Sequence, residues 1–557
     1  MRRIRIRLGT LLVFIVTVAA VLGGLLGERV SAEAPLQEDS QKLLKTFTEV
    51  FATVQQNYAE KTDSDVLVGN AVRGMLRTLD PHSSYFSTED YDRLQEEQKG
   101  KYYGLGITIR SESPGSGRVV VVEPPAPGTP AYRAGLRAGD VIAKIEGKPI
   151  DDWDLNDEVI PNLKGPKGTF VNITVERPGE DAPLQFKVER DEIPLYTIKY
   201  AFRIRPSIGY IRISRFAETT SRELDNALES IGEGSLEGLI LDLRDNPGGA
   251  LSQALAVSDR FLDKGEKIVS TRSRNGKETH NYRAERRERY HYPMVVLINK
   301  NSASASEIVS GALQDHDRAL ILGETSFGKA LVQTIFPLAG QRALALTTGR
   351  YYTPSDRLIQ RDYSHGFWDY YNNRDDEQAS VRHDGKEYFT DGGRVVYGGG
   401  GIAPDENVEL DRIPLAARKI QRKNLFREYA SKVVAGEIPS DLLKQLPAPP
   451  DKLDESQADQ VIADLRIEGR NLDEFRHYVQ QNSLTFSDSE WDSAKPVIQN
   501  FLKQELLLLL VGDEASYRVA LELDKQVQTA IEQLPNVTAL LQKSISEARA
   551  QQDMRPR

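Results

Sequence analysis

Over residues 41–79 apolar side chains recur every three or four positions. Leu43, Leu44, Phe47, Val50, Phe51, Val54 and Tyr58 share one helical face, and Leu67, Val68, Ala71, Val72, Met75 and Leu79 share another. Asp80-Pro81 ends the second helix, since proline lacks the N–H and crowds the residue before it. From about 101 to 189 the pattern changes to short β runs punctuated by glycine. Beyond this, strands and helices alternate. Ile208–Ile213, 239–243 and Met294–Ile298 read as apolar strands, with helices at 221–231, 251–262 and 307–313. That alternation predicts a layered α/β architecture. Residues 361–386 have no clean period and read as an insertion. After residue 412 the chain turns helical and charged, interrupted by the stiff linker Leu446-Pro-Ala-Pro-Pro450. Helical patterns fall at 458–467, 472–481, 490–510 and 514–550; the run 506–510 is too short to span a bilayer and reads as buried helix.

A chain of 557 residues exceeds one core and predicts three or four units. Its net charge of −10 argues against nucleic-acid binding, which favours a basic face. Without cysteine there are neither disulfides nor thiolate metal sites. The N-terminus is more specific about location. Met1-Arg-Arg-Ile-Arg-Ile-Arg7 is basic, residues 8–26 form 19 uncharged positions, and Val30-Ser-Ala32 suits cleavage of a signal peptide. A retained membrane anchor is the alternative; either way the bulk of the chain is sent across the membrane.

The candidate chemistry begins with Asn301-Ser-Ala-Ser-Ala-Ser-Glu-Ile308, which follows the apolar strand. A strand feeding a small-residue turn and then a helix exposes a serine hydroxyl beside free helix N–H groups. Chemistry alone does not choose among Ser302, Ser304 and Ser306. Next comes Gly323-Glu-Thr-Ser-Phe-Gly-Lys-Ala-Leu-Val-Gln333, where Lys329 has apolar neighbours. Desolvation lowers a lysine pKa, so its neutral amine can accept a proton from serine. Solvated lysine and a plain helix-capping serine are the bland readings. No Gly-x-Ser-x-Gly elbow or His-Glu-x-x-His pattern is present, and His82, His316, His365 and His383 read as ordinary surface histidines.

These runs, with Leu241-Asp-Leu-Arg-Asp-Asn-Pro-Gly-Gly249, closely resemble the carboxy-terminal processing, or tail-specific, serine proteases over about residues 43–408. The resemblance implies that Ser304 is the nucleophile, that Lys329, 25 residues later, is its base, and that Gln333 orients the lysine. If the chain after Lys329 is extended, positions 329, 331 and 333 share a face. Ala305 N–H is a natural oxyanion donor, and Gly248, with Gly249 close behind, supplies a second. The resemblance also implies a crotonase-like core, no cofactor, no metal, and dimerisation through the N-terminal helices; the plainer reading of their stripes is core.

Tyr102-Tyr-Gly-Leu-Gly-Ile-Thr-Ile109 and Ala134-Gly-Leu-Arg-Ala-Gly-Asp-Val-Ile142 together resemble a PDZ domain. Gly104, Leu105 and Gly106 would present N–H groups to a terminal carboxylate, and Ile107 would begin the strand that pairs with the tail. The layout expected is multidomain α/β: signal peptide or membrane anchor at 1–32, helical region at 36–97, PDZ domain at 98–190, α/β serine protease core at 191–411 and helical C-terminal region at 412–557. The function implied is an exported endopeptidase acting on protein C-terminal tails. A catalytically silent PDZ scaffold and a crotonase-like acyl-CoA enzyme are the rivals; retention of serine, lysine and glutamine argues against the first, and a PDZ domain with an export signal against the second.

Overall fold

The computed structural model describes residues 38–112, 117–126, 128–286, 290–372, 386–447, 453 and 457–539. The expected leader, residues 373–385 of the expected insertion and the end of the last expected helix lie outside them. The chain divides into two compact units, one ending at Met75 and one beginning at Leu76. Glu38–Asn57, in the first unit, is an amphipathic helix, and Ser64–Leu76 is a second helix that runs up to the boundary. Leu43, Leu44, Phe47 and Val50 on the first helix are exposed. Among the described residues no helix is long and apolar enough to cross a membrane.

The centre of the second unit is a six-stranded sheet ordered Ile198–Arg205, Ile208–Ile213, Gly238–Asp242, Met294–Ile298, Leu320–Gly323 and Glu406–Asn407. The first pair is antiparallel and every later pair is parallel. Parallel neighbours need a crossover. The helices Thr220–Ser230, Leu251–Ser258 and Ala305–Asp315 lie in the first three crossovers. Alternate strand residues face opposite sides. Leu239, Leu241, Val296, Ile298 and Ile321 pack with Leu224, Leu228, Val257, Val309 and Leu313 of those helices. Tyr210, Ile240, Val295, Leu297 and Leu322 face the other way.

That second face is covered by the chain's own C-terminal segment. Leu521, Val527, Ala530, Leu534 and Val537 pack on it. The expected helices from 412 onward otherwise form a separate core in which Phe426, Tyr429, Phe475, Trp491 and Leu506 are buried. Leu506, Leu507 and Leu510 are buried within the helix Asp488–Leu510, as expected of that run.

A five-stranded sheet flanks the centre: Ser84–Phe86 pairs with Arg342–Tyr352, which pairs with Leu331–Leu338 and with Lys267–Ser273, and the last pairs with Glu278–Arg283. Thus the segment just after the N-terminal helices joins a sheet built mostly of residues beyond 260. Residues 109–189 form a third sheet, with Val119, Ile142, Ile173, Val175 and Val188 in its core. Asp140 of the Ala-Gly-Leu run is fully buried and pairs with Arg177 at 2.7 Å, which gives that carboxylate a structural use. Lys101–Gly104 and Asp191–Pro194 pair antiparallel at its base.

Candidate active site

Three parallel strands end at the same edge, and the loop leaving each carries a candidate residue: Gly248 follows Gly238–Asp242, Ser304 follows Met294–Ile298 and Lys329 follows Leu320–Gly323. In open α/β sheets this edge is where ligands bind. Ser304, Ala305, Lys329, Gln333, Gly248 and Gly249 line one cavity of about 740 Å³. A larger cleft of about 1020 Å³, walled by charged side chains such as Glu96, Lys101, Glu192 and Arg222, holds none of them.

Ser304 enters the helix Ala305–Asp315 with φ 54° and ψ −109°. For a serine that conformation costs on the order of 1–3 kcal/mol and persists only where surrounding structure enforces it. The enforcement comes from Glu307. Its buried carboxylate accepts the N–H groups of Ser304 (2.8 Å), Gly328 (2.6 Å) and Lys329 (2.9 Å) and the Ser326 hydroxyl (2.6 Å). Burial pushes the Glu307 carboxyl up to about 7, against the pull of these four donors. Tyr351 adds a second brace, donating to the Lys329 carbonyl and lying 3.2 Å from that of Ser304. The sequence reading missed both braces: Glu307 looked like one more helix residue, and Tyr351 arrives from a distant strand.

Burial depresses the Lys329 pKa below its ordinary value, partly offset by the charges of Glu307 and Asp80. This is the direction a base needs. Gln333 lies on the strand Leu331–Leu338, two residues beyond its start, and its amide nitrogen is buried without a hydrogen-bond partner. Ser304 Oγ, Lys329 Nζ and the Gln333 amide share the cavity but are not hydrogen-bonded to one another among the described residues. Catalytic hydrogen bonds are often long without substrate.

The Asn246-Pro-Gly-Gly249 turn is pressed against the serine. A Cβ added at Gly248 would lie 2.8 Å from Ser304 Cβ and 2.9 Å from Ala305 N. Gly248 is therefore required by space as well as by its φ of 100°. Its own N–H is given to Asn246 Oδ1 at 2.9 Å, which leaves Gly249 and Ala305 with the N–H groups not engaged in this state.

Two histidines differ from the sequence reading. His82 is not a surface residue: it lines the cavity, bonds Tyr370 Oη at 2.8 Å through Nε2, and sits edge-on to Phe327. Burial, then the Lys329 charge, lowers its pKa to about 3, so the imidazole is neutral. Asp80 holds this loop by accepting the His82 and Ser83 N–H groups, each at 2.8 Å. Tyr370 comes from the expected insertion, so part of that segment supports a wall residue of the site from behind. His316 is also buried, engaged by Asp391 (2.6 Å) and the Lys267 carbonyl (2.8 Å). Glu266, His316 and Asp391 lie close enough to hold a metal ion, but both His316 ring nitrogens are already used.

Just before the 109–189 sheet, Gly106 has φ 77°, Leu105 is buried in that sheet's core and Ile107 is half-buried against it. Ile109–Ser111 is an edge strand. Gly104, by contrast, has no positive φ.

A serine on a strained helix entry, a desolvated lysine and helix and glycine N–H groups in one cleft make up the equipment of a serine peptidase. Comparison with known proteins agrees. Residues 207–365 match peptidase family S41, residues 121–177 match the PDZ domain, and residues 25–90 match the N-terminal domain of the activating protease CtpB. The carboxy-terminal-processing protease of Bartonella bacilliformis is 44% identical over 329 residues, 58% of this chain and 74% of that protein. Carboxy-terminal processing protease CtpB of Bacillus subtilis is 32% identical over 60% of this chain and 68% of its own. Among solved structures, a photosystem II D1 C-terminal processing protease aligns at 26% identity and TM-score 0.34 over 66% of this chain and 93% of that one. The chain belongs to the carboxy-terminal-processing protease family.

Proposed function

We propose that the chain is an exported endopeptidase that cuts proteins near their C-terminal tails through Ser304 and Lys329. The observation that carries this is the shared cavity at the strand ends, where the strained serine and the desolvated amine meet the glycine turn. The neutral Lys329 amine takes the Ser304 proton as Oγ attacks the scissile carbonyl, and later returns it to the leaving amine. Ala305 N–H, with a glycine N–H of the 246–249 turn, stabilises the oxyanion. Gln333, whose amide is otherwise unsatisfied, orients the lysine.

The PDZ domain, drawn at 98–190, delivers the tail: Gly104, Leu105 and Gly106 bind its carboxylate, and the open edge at Ile107 to Ile109 pairs with it as an added strand. The protease core then spans 191–411 and the helical region 412–557. Export rests on the leader pattern at 1–32, retained as an anchor or removed after Ala32. The exposed apolar face of Glu38–Asn57 suits pairing with a second copy. The test is cleavage of an unfolded protein by the purified chain and by Ser304→Ala. An active Ser304→Ala chain sinks the assignment, and equal binding of free-acid and amidated tails by the chain sinks the tail-reading role.

A further inference from the structure

The parallel strand Ile208–Ile213 ends at the same edge as the three that carry the glycine turn, the serine and the lysine. The loop leaving it carries Arg215, which has no part in the chemistry above. Arg215 lines the same cavity as Ser304, Gly248 and Lys329 and is half-buried. Its position is fixed by the next residue. Phe216 N–H donates to the Gly248 carbonyl (2.9 Å), and the Phe216 carbonyl accepts from Ala250 N–H (2.8 Å), so the segment is stitched to the glycine turn.

The neighbouring arginines are occupied. Arg212 is held by Tyr517 and Asp245, and Arg244 by Asp242 and Asp524. Arg215 has no ion pair or hydrogen bond to its guanidinium among the described residues. The acidic residue that shares the cavity, Glu97, is exposed and forms no ion pair with it. Nearby walls are apolar: Leu94, Phe216, Leu251 and Ile308.

We infer that Arg215 is a specificity-determining residue: it binds a carboxylate on the substrate at a fixed reach from the bond that Ser304 attacks. A guanidinium offers a rigid fork of donors matched to a carboxylate, and partial burial reduces competition from water. That carboxylate has two sources, a free chain end within a few residues of the cut or an Asp or Glu side chain. The inference rests on Ser304 being the nucleophile.

The experiment uses the full chain and matched short peptides: free acid against C-terminal amide, and amides carrying Asp against Asn at each position in turn. kcat and KM are measured for wild type, Arg215→Gln and Arg215→Glu. In wild type at least one carboxylate peptide is favoured over its neutral twin, and Arg215→Gln lowers that ratio of kcat/KM about tenfold, mostly through KM, the size of one charge-assisted contact. Arg215→Glu turns the preference against the acid. The pair that responds identifies the source: a chain end or a side chain. The PDZ domain also reads chain ends, but that part of a preference survives both substitutions. A ratio unchanged in both variants overturns the inference. If neither variant folds, Arg215→Lys, which keeps the charge but loses the paired donors, should lower the ratio severalfold, and no change overturns the inference. Failure of wild type to cut any peptide, or cutting by Ser304→Ala, overturns the nucleophile assignment instead.

Discussion

Glu307 Oε2 accepts the backbone N–H groups of both Ser304 and Lys329, at 2.8 and 2.9 Å, so one carboxylate oxygen ties together residues 25 apart. Its other oxygen takes Gly328 N–H and the Ser326 hydroxyl. Glu307→Gln replaces one acceptor with a donor and leaves two buried donors facing an NH₂ group. The expected cost is about 2–3 kcal/mol of stability, the size of buried hydrogen bonds left unmade. A drop in kcat of tenfold or more should accompany it. Denaturant titration and steady-state kinetics on the same preparation check both.

Ser304→Ala and Lys329→Ala are each expected to reduce kcat by at least about a thousandfold, and the double variant no further, because the pair acts as a unit. Additive losses would mean that the two residues work independently.

The pH profile follows from the direction of the Lys329 shift. Only the neutral amine is a base, so kcat/KM should rise with pH and level off through an apparent pKa below the usual lysine value of about 10.4. A flat rate between about pH 5 and 9 would argue against Lys329 in this role.

His316 gives a stability signature of opposite sense. Burial alone would lower its pKa, but the Lys267 carbonyl and the Asp391 carboxylate outweigh it, and the pKa is raised. A raised folded-state pKa contributes stability that is fully present below the unfolded value near 6.5 and is lost as pH rises through the folded value. The melting-temperature difference between wild type and His316→Gln should therefore shrink above about pH 7. A difference that stays constant from about pH 5 to 9 would show that the ring is not charged in the folded protein.

Leu534 packs against Gly238, where an added Cβ would sit 2.3 Å from a Leu534 methyl. Leu534→Ala should cost about 2–5 kcal/mol, the range for truncating a buried leucine, read as a lowered denaturation midpoint. No loss would mean that the C-terminal segment sits on the sheet without stabilising it.

Much of this arrangement was legible from local pattern. The five-residue apolar run Met294–Ile298 could only be a buried strand, and it delivers the serine turn directly. The Ala-Gly-Leu run and the glycines before it marked the peptide-binding module. What periodicity does not carry is partnership at long range. His82 precedes Tyr370 by 288 residues, so its burial could not be read from a loop flanked by Asp80-Pro81. Glu307 is polar in a helical run, where charge ordinarily means solvent, yet it is wholly buried because its donors arrive from two loops. The same holds for Arg244 and Asp524, 280 positions apart, whose ion pair ties the strand before the 246–249 turn to the C-terminal helices.

That last tie bears on whether a second copy of the protease could degrade this one. Cleavage working back through residues 537–521 would meet packed apolar side chains at Val537 and Leu534 and an arginine grip at Asp524. Each further step would have to lift a helix off the sheet and expose Tyr210, Ile240 and Leu297 to water. Residues 521–537 are thus poor substrate for a second copy of the protease, because they are already bound to the sheet.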